Sequence, residues 1–397
     1  MSLPLLRLKK NEDRRLRAGH LWIYSNEIDV ARTPLKELDP GQQVEVQSSA
    51  GRSLGSAYVN PHSLICGRLV SREGRALDRS LLVHRLKMAL SLRERVYHAP
   101  FYRLVHGEGD FLPGLVVDRY DDVLVVQITT AGMEVVKEAI IEALEKVVRP
   151  RAILVRNDSA VRQLEGLEQY VETPVGEEPE WLEIREDDVS FRIDPYRGQK
   201  TGWFFDQRGN RDRLAAYARG GRVLDLFSYA GGWGVRAAAA GASEAVCVDS
   251  SPVAMEAVER NATRNGLDDR VRGLRGDVFD VLARLREDRE RFDVVVCDPP
   301  AFIKRRRDAK AGAQAYRRLN QMAMQVLAKD GILISCSCSY HYPREQLQRA
   351  MLGASRHLDR NLQVLEHGGQ GVDHPVHPAI PETDYLKAIV ARVTPAG

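Results

Sequence analysis

The chain has 397 residues, of which 44% are hydrophobic and 28% are charged, and its net charge is only +3. These values are typical of a folded globular protein, and the length predicts two or three domains. They exclude a polycationic nucleic-acid-binding protein. Any site for nucleic acid must therefore come from a local cluster of Arg and Lys.

The first twenty residues contain no long apolar core followed by a cleavage site, which argues against secretion. The sequence contains no stretch of about 18 uncharged apolar residues, so no membrane span is expected. The five cysteines are an odd number, and four lie in apolar strand-like contexts. We therefore expect reduced thiols in a cytoplasmic protein. The spacing of Cys and His predicts no metal site.

Residues 1–72 are basic and rich in predicted strands. Residues 41–61 alternate apolar and polar side chains between Gly and Asn-Pro turns, a pattern typical of half-buried strands. A basic, helix-like stretch at residues 9–17 precedes them. Residues 78–97 have the apolar spacing of a helix, which is predicted to connect this region to the next one.

Residues 73–195 are predicted to contain this connecting helix and a small α+β domain. The apolar periodicities predict two strands around a turn, an amphipathic helix and two further strands, at residues 114–128, 132–148, 152–155 and 189–193. The Pro- and Glu-rich residues 171–184 are predicted to form a surface loop.

Residues 196–397 change to alternating strands and helices. Short apolar runs are predicted to be parallel strands, at residues 223–226, 245–248, 294–297 and 332–335. Helices between such strands cover both faces of a parallel sheet. The predicted fold class is therefore α/β.

A glycine-rich loop follows the first of these strands, in the stretch VLDLFSYAGGWGV. The strand ends at Asp225, and Gly231, Gly232 and Gly234 lead into a helix. Glycines at this position let the backbone approach a ligand closely. Asp249 ends the next strand, where an acid can bind ribose hydroxyls.

The glycine pattern differs from the G-x-G-x-x-G of a dinucleotide site. Further acids, Asp277 and Asp298, follow the third and fourth strands, and Asp277 could bind an adenine amino group. Such acids suit a neutral or cationic ligand better than a pyrophosphate. The segment resembles class I S-adenosylmethionine-dependent methyltransferases; a structural Gly-rich turn in a binding module is the alternative. The residues predicted to bind the cofactor here are Asp225, Phe227, Tyr229, Ala230, Gly231, Gly232, Gly234, Asp249, Ser250, Asn265, Asp277, Val278 and Asp298.

The stretch CDPPAF is a candidate substrate loop. Pro299 and Pro300 stiffen the chain at the strand exit, so that Asp298 and Phe302 are presented in a fixed geometry. Similar motifs in amino-methylating enzymes hold an exocyclic amine. The basic run that follows is predicted to contact RNA phosphates, through Lys304, Arg305, Arg306 and Arg307.

Two cysteines close the last predicted parallel strand, in GILISCSCSY. Cys336 and Cys338 share a face of the strand, and Cys338 lies nearer the end where ligands bind in open α/β sheets. A thiolate there can add to C6 of a pyrimidine and make C5 nucleophilic enough to take a methyl group. Cys336 is more simply a buried core residue, although its presence leaves the nucleophile assignment open.

The whole chain resembles the RlmI-like ribosomal RNA large-subunit methyltransferases, which make 5-methylcytosine in 23S rRNA. The matching motifs include GDFLPGLVVDRYDD, GQKTGWFFDQRGNR, DLFSYAGGWGV, CDPPAF, SCSCS and DHPVHPAIPETDYLK. The resemblance implies an RNA-binding PUA β-barrel at residues 1–72, a bridging domain, and a Rossmann-like methyltransferase domain at 196–397. It also implies S-adenosylmethionine as cofactor, ribosomal RNA as partner and a homodimer.

The same resemblance implies roles for individual residues. The family's nucleophile matches Cys338, and the segment GQKTG-FFDQR would lie near the cofactor or the catalytic loop with Lys200, Thr201, Phe205 and Gln207. Many RNA cytosine-C5 methyltransferases carry a second cysteine after Pro-Pro, where this chain has Ala301. Another group must then remove the C5 proton, and the candidates are Asp298, Glu382 and His374.

Two other functions stay open from the residues alone. An amino-group methyltransferase would act on guanine N2 or adenine N6 through Asp298-Pro299-Pro300 and would need no thiol. A non-enzymatic RNA-binding assembly factor would use the methyltransferase fold only to sense the cofactor. The acids together with Cys338 argue against the second of these.

Overall fold

The computed structural model describes residues 3–198 and 201–396, in which the chain divides into two compact units. The N-terminal unit comprises residues 3–182, 201–203 and 372–383, and the C-terminal unit comprises residues 183–198, 204–371 and 384–396. The domain boundaries at residues 72 and 195 stay predictions. No helix in the described ranges is both long and apolar enough to cross a membrane.

The N-terminal unit begins with a five-stranded sheet. Its elements are β1 (Leu5–Arg7), α1 (Arg14–Arg17), β2 (Trp22–Ile23), β3 (Gln43–Gln47), β4 (Ser53–Val59) and β5 (Gly67–Ser71). The strand order is β1-β3-β4-β5-β2. Side chains of β3 alternate between half-buried and buried, and Val44 and Val46 join the core of this sheet. The alternation predicted from the sequence is confirmed here.

A second five-stranded sheet completes the N-terminal unit. Its elements are α2 (Arg79–Val96), β6 (Phe101–His106), β7 (Leu115–Tyr120), β8 (Val123–Ile128), α3 (Ala131–Val135), α4 (Lys137–Val148), β9 (Ala152–Asn157) and β10 (Tyr170–Val175). The order is β10-β9-β8-β7-β6, and only β8 and β9 pair in parallel. The connecting helix α2 begins where Asp78 accepts a hydrogen bond from the Leu81 N–H, as expected of an N-cap residue.

The C-terminal unit contains a two-stranded sheet and a seven-stranded sheet. Its elements are β11 (Leu182–Glu186), β12 (Val189–Ile193), α5 (Arg208–Ala218), β13 (Arg222–Leu226), α6 (Gly232–Ala239), β14 (Glu244–Asp249), α7 (Pro252–Arg264), β15 (Val271–Arg275), α8 (Val278–Glu287), β16 (Phe292–Cys297), α9 (Ala309–Val326), β17 (Leu327–Ser337), α10 (Arg344–His357), β18 (Arg360–Gly369) and β19 (Lys387–Pro395).

The large sheet has the order β15-β14-β13-β16-β17-β19-β18. The five strands from β15 to β17 are parallel, which confirms the α/β prediction, and β19 and β18 pair antiparallel at one edge. The central strands β13 and β16 are buried almost throughout, as expected of strands with helices on both faces. Because the parallel strands share a direction, their carboxyl ends meet at one edge of the sheet.

Two predictions about the middle of the chain are wrong. Residues 171–184 do not form one continuous loop, since β10 and the start of β11 lie there and only residues 176–181 connect the two strands. The strand at residues 189–193 exists, but it pairs with β11 and packs on α7 of the C-terminal unit. The Asn261 and Asn265 side chains accept hydrogen bonds from the backbone of β12. Side-chain hydrogen bonds of this kind are not visible as hydrophobic periodicity.

Candidate active site

The loop after β13 has an unusual backbone. Phe227 and Tyr229 have left-handed φ values of 63° and 48°, and Gly231 has a φ of 78°. Such values are uncommon and costly for residues with bulky side chains, and they cluster at functional sites. The Asn261 side chain holds the loop by donating to the carbonyl of Ala230 at 3.0 Å. The predicted cofactor loop is therefore held in a defined shape.

Asp225 lies fully buried beneath this loop. Its Oδ2 accepts a hydrogen bond from the Gly234 N–H at 2.9 Å. Its Oδ1 has no hydrogen-bond partner among the described residues, and neither has the buried Oγ of Ser228. Burial raises the pKa of Asp225 to about 7. An acceptor oxygen that lacks a donor fits a ligand with an ammonium group, such as S-adenosylmethionine, better than a pyrophosphate.

Asp249 ends β14 next to the same loop. Its Oδ2 accepts from the Tyr229 N–H at 3.0 Å and its Oδ1 from the Ser251 N–H at 2.9 Å. A carboxylate has about four acceptor positions, so Asp249 can also accept from ribose hydroxyls. Ser250 beside it is exposed. The carboxylate therefore links the glycine loop to the start of α7.

Asp277 follows β15 and is exposed at the start of α8. Its Oδ1 accepts from the Phe279 N–H at 2.9 Å and from the Asp280 N–H at 3.3 Å. This carboxylate is thus an N-cap of α8, and the neighbouring Val278 is buried in the core. The Oδ2 atom of Asp277 takes no part in this capping. It can therefore accept a hydrogen bond from an adenine amino group, as predicted, while Oδ1 caps the helix.

One predicted cofactor residue, Asn265, is not brought to this edge of the sheet. Asn265 lies at the far end of α7, roughly 20 Å along the helix axis from Ser251, and it binds the backbone of Ser190. Thr201 belongs to the N-terminal unit, where it contacts Arg103 and Tyr120. Lys200 lies outside the described residues.

Asp298, at the carboxyl end of β16, is the centre of a hydrogen-bonded group. Gln207 donates to its Oδ1 at 2.8 Å, and the Trp233 indole N–H donates to its Oδ2 at 3.0 Å. Burial raises the pKa of Asp298 to about 6, although these two donors oppose the shift. The geometry thus brings Gln207 of the FFDQR segment onto the Asp-Pro-Pro motif. Phe205 of that segment is buried under the Arg208 guanidinium, 5.4 Å from the ring centroid.

Sequence reasoning missed Trp233. This residue lies in the glycine run GGWG, and its side chain reaches from the start of α6 to Asp298. A Trp among small residues that start a helix is the signal that could have pointed to it, because a buried indole N–H needs an acceptor.

The two cysteines of SCSCS differ in exposure. Cys336 lies within β17 and is fully buried, and burial raises the pKa of its thiol well above the usual value. Cys338 follows the end of the strand and is partly exposed, whereas Cys66, Cys247 and Cys297 are buried. Among the cysteines of this chain, Cys338 is therefore the one that a substrate can reach.

Tyr316 of α9 holds the residues on both sides of Cys338. Its hydroxyl accepts from the Ser337 hydroxyl at 2.9 Å and lies 2.9 Å from the Ser339 Oγ. The Ser339 Oγ also accepts from the Ile303 N–H at 3.1 Å, which joins this segment to the Asp-Pro-Pro loop. Sequence reasoning missed Tyr316, although the serines that flank Cys338 indicate a polar partner.

Phe302 connects the substrate loop to the cofactor loop. Its ring is 4.9 Å from that of Tyr316 and 6.3 Å from that of Phe227, centroid to centroid. Pro299 is buried, whereas Pro300 and the basic run Lys304, Arg305, Arg306 and Arg307 are exposed. The other two candidates for the base, His374 and Glu382, belong to the N-terminal unit, where His374 is buried against Asp373.

Two family models match the chain. A PUA-like domain model matches residues 6–72, and an S-adenosylmethionine-dependent methyltransferase model matches residues 102–350. The chain is 36% identical to the ribosomal RNA large subunit methyltransferase I of Erwinia tasmaniensis, over 99% of this chain and 100% of that protein. It is also 36% identical to the protein of the same name from Vibrio cholerae, over 98% and 99% of the two chains.

Solved structures share the fold over the full length. A SAM-dependent methyltransferase from Streptococcus mutans superimposes with a TM-score of 0.82 at 22% identity, covering 98% of this chain and 100% of that one. A methyltransferase crystallised with SAH superimposes with a TM-score of 0.83 at 23% identity, covering 99% and 100%. At these identities the likeness concerns the fold.

Proposed function

The chain belongs to the family of ribosomal RNA large subunit methyltransferase I proteins, which are S-adenosylmethionine-dependent enzymes, and from this membership we propose its reaction. It transfers the methyl group of S-adenosylmethionine to C5 of a cytosine in 23S ribosomal RNA. The observation that carries the proposal is that Cys338 is partly exposed and lies next to the Asp-Pro-Pro loop in the hydrogen-bonded structure. The residue after it, Ser339, forms hydrogen bonds to Ile303 of that loop and to Tyr316.

The cofactor would lie across the carboxyl ends of β13, β14 and β15. The loop from Phe227 to Gly234 would hold it, Asp225 would accept from its amino group, and Asp249 would accept from its ribose hydroxyls. Asp277 would contact the adenine amino group. Bound S-adenosylmethionine supplies an electrophilic methyl group. The partnerless Oδ1 of Asp225 and the left-handed backbone at Tyr229 support this assignment.

The chain's own residues would carry the remaining steps. The Cys338 thiolate adds to C6 of the cytosine, and the electrons of the C5–C6 double bond make C5 nucleophilic. After C5 has gained the methyl group, Asp298 takes the C5 proton. The electrons of that C–H bond restore the double bond as the sulfur–C6 bond breaks, and the thiolate is released.

Asp298 is suited to the role of base. Its pKa of about 6 leaves it mostly ionised at neutral pH, yet close enough to the working pH to accept a proton efficiently. Gln207 and Trp233 fix both of its oxygens, so that the carboxylate keeps one orientation. The exposed Lys304–Arg307 run beside this loop is proposed to bind RNA phosphates.

The PUA-like domain is proposed to bind the same RNA. The homodimer and the cytoplasmic location follow from the resemblance alone and belong to the proposal. The mass of the protein in solution, measured by light scattering, tests the first; imaging a tagged copy in cells tests the second.

The test is the identity of the methylated nucleoside. An unmodified 23S rRNA transcript is incubated with the protein and methyl-labelled S-adenosylmethionine, digested, and analysed by mass spectrometry. Labelled 5-methylcytidine is expected, and Cys338→Ala should give none of it. Labelled N2-methylguanosine or N6-methyladenosine would overturn the proposal and favour the exocyclic-amine reaction at Asp298-Pro299-Pro300.

A further inference from the structure

Lys387 is a buried cation next to the proposed nucleophile. It is the first residue of β19, where it pairs with Ser337 of β17, and the residue is only 6% exposed. Its ammonium group donates to the carbonyl oxygens of Ser339 at 2.6 Å and of Tyr385 at 2.8 Å. Ser339 directly follows Cys338, so the cation binds the backbone that carries the thiol.

No described carboxylate forms an ion pair with this ammonium group. Carbonyl oxygens accept from two of its three N–H donors, but they leave its charge without a counterion, and an uncompensated buried charge is unfavourable. Burial accordingly lowers the pKa of Lys387 to about 8, and the negative charge of an ionised Cys338 opposes that shift. A cation kept in such a position therefore favours an anion beside it.

The other charged groups that face Lys387 are Asp384 and Arg344. Asp384 is exposed, so water screens its charge. The Arg344 guanidinium donates to the carbonyls of Ala388 and Gly368 at 3.0 and 2.8 Å, which commits it to the edge strands of the sheet. The Cys338 sulfur is thus the group whose ionisation can balance the Lys387 charge.

Cys336 has a different electrostatic environment. Burial is the main cause that raises the pKa of its thiol, and the Asp298 carboxylate and the Cys297 and Cys338 sulfurs add to it, while a hydrogen bond with Gln207 acts in the opposite direction. The two cysteines are two residues apart, yet the ammonium group acts on the one outside the strand.

We propose that Lys387 is a positioning residue for Cys338: its hydrogen bond to Ser339 fixes the segment, and its charge stabilises the reactive thiolate. The inference rests on the proposed role of Cys338 as nucleophile. A thiolate, unlike a thiol, is the attacking species, and an adjacent cation increases its share at neutral pH.

The first experiment measures ionisation without measuring methyl transfer. Iodoacetamide reacts with thiolates, and the rate of Cys338 alkylation is followed from pH 5 to 10 by peptide mass spectrometry. Three variants separate charge from hydrogen bonding: Lys387→Arg keeps both, Lys387→Gln keeps a donor but no charge, and Lys387→Met keeps neither. Lys329→Met is the matched control, because Lys329 is exposed at the other end of β17.

At pH 7 we expect alkylation of Cys338 to slow by about tenfold in Lys387→Gln and Lys387→Met. Lys387→Arg and Lys329→Met should stay close to the parent chain. The slowed variants should recover as the pH rises, since the thiol then ionises without help. Equal alkylation profiles in the parent chain, Lys387→Gln and Lys387→Arg would overturn the inference, even if Lys387→Met does not fold.

Methyl transfer provides the second readout. We expect kcat of Lys387→Gln to fall at pH 7 and to approach the parent value near pH 9, with the KM for S-adenosylmethionine unchanged. A purely structural role would lower kcat equally at all pH values, which would contradict the charge role. If the product is a methylated purine while the alkylation profile still shifts, the proposed function fails but the effect of Lys387 on Cys338 stands.

Discussion

The loop after β13 and the segment after β17 both leave the same sheet at its carboxyl edge, but they are shaped by different means. The first loop has an unusual backbone, with left-handed φ values at Phe227, Tyr229 and Gly231, and side chains of the adjoining strands and of α7 bind that backbone. The second depends on side chains from elsewhere in the chain, Tyr316 of α9 and Lys387 of β19.

This difference has a chemical reason. A cofactor with several polar groups can be bound by backbone amides and carboxylates that follow strands directly. A nucleophilic thiol needs an ionisable environment and a fixed direction, which a cysteine and its sequence neighbours cannot provide alone. Substitutions in the two regions should therefore have different effects: those near Cys338 should lower turnover, and those in the glycine loop should lower stability.

The largest effect is expected at Cys338. Cys338→Ala should abolish methyl transfer while S-adenosylmethionine binding, measured by calorimetry, stays unchanged. Cys336→Ala is the matched control; it removes a buried sulfur and should cost about 1–2 kcal/mol of stability while most of the activity remains. Turnover by the Cys338→Ala protein would rule out the covalent mechanism.

Asp298→Asn should lower kcat by about a hundredfold or more, since the side chain can no longer take the C5 proton. Methyl transfer by the parent chain should fall as the pH drops through about 6, where Asp298 becomes protonated. The variant should lack this acid limb. Profiles of rate against pH from 5 to 8, for the parent chain and for Asp298→Asn, check both the lower kcat and the loss of the acid limb. If the variant keeps the acid limb, the titrating group is not Asp298.

Tyr316→Phe should lower kcat by about tenfold, because a modest displacement of a reacting group can cost up to about a hundredfold. The Tyr316→Phe substitution removes the hydroxyl that binds Ser337 and Ser339 but keeps the aromatic ring. Tyr342→Phe is the control: Tyr342 stacks on Tyr316, and its hydroxyl donates to the Gln346 carbonyl instead. Equal rates for the two variants would argue against the role of Tyr316.

The smallest effect on turnover is expected for a substitution at Gly234 in the glycine loop, which should change the stability of the fold instead. A methyl group there would lie 2.2 Å from the Cys247 sulfur, so Gly234→Ala should destabilise the fold by about 1–3 kcal/mol. Adding Cys247→Ala should restore much of that loss in thermal unfolding. Gly353→Ala, in helix α10 with no contact closer than 3.5 Å, should be neutral or stabilising. No rescue by Cys247→Ala would mean that Gly234 is needed for another reason.

Hydrophobic periodicity predicted four of the five parallel strands, because β13, β14, β16 and the second half of β17 are short, largely buried apolar runs. It gave no range for β15, whose residues are mostly half-buried or exposed. It did not predict β18 and β19, although β19 is mostly buried. It also assigned β12 to the wrong neighbours, since strand pairing depends on long-range contacts such as those from Asn261 and Asn265. The candidate residues that directly follow strands could be predicted too, because their positions depend only on where each apolar run ends.

The sequence by itself determined the α/β class and the order of acids along the strands, because both depend on local spacing. It also singled out Cys338 over Cys336, since position relative to a strand end is a local property. Only the tertiary structure brought Gln207 and Trp233 onto Asp298, and Tyr316 and Lys387 onto the Cys338 segment. These contacts join residues from different helices and strands, and their distances in the chain carry no periodic signal.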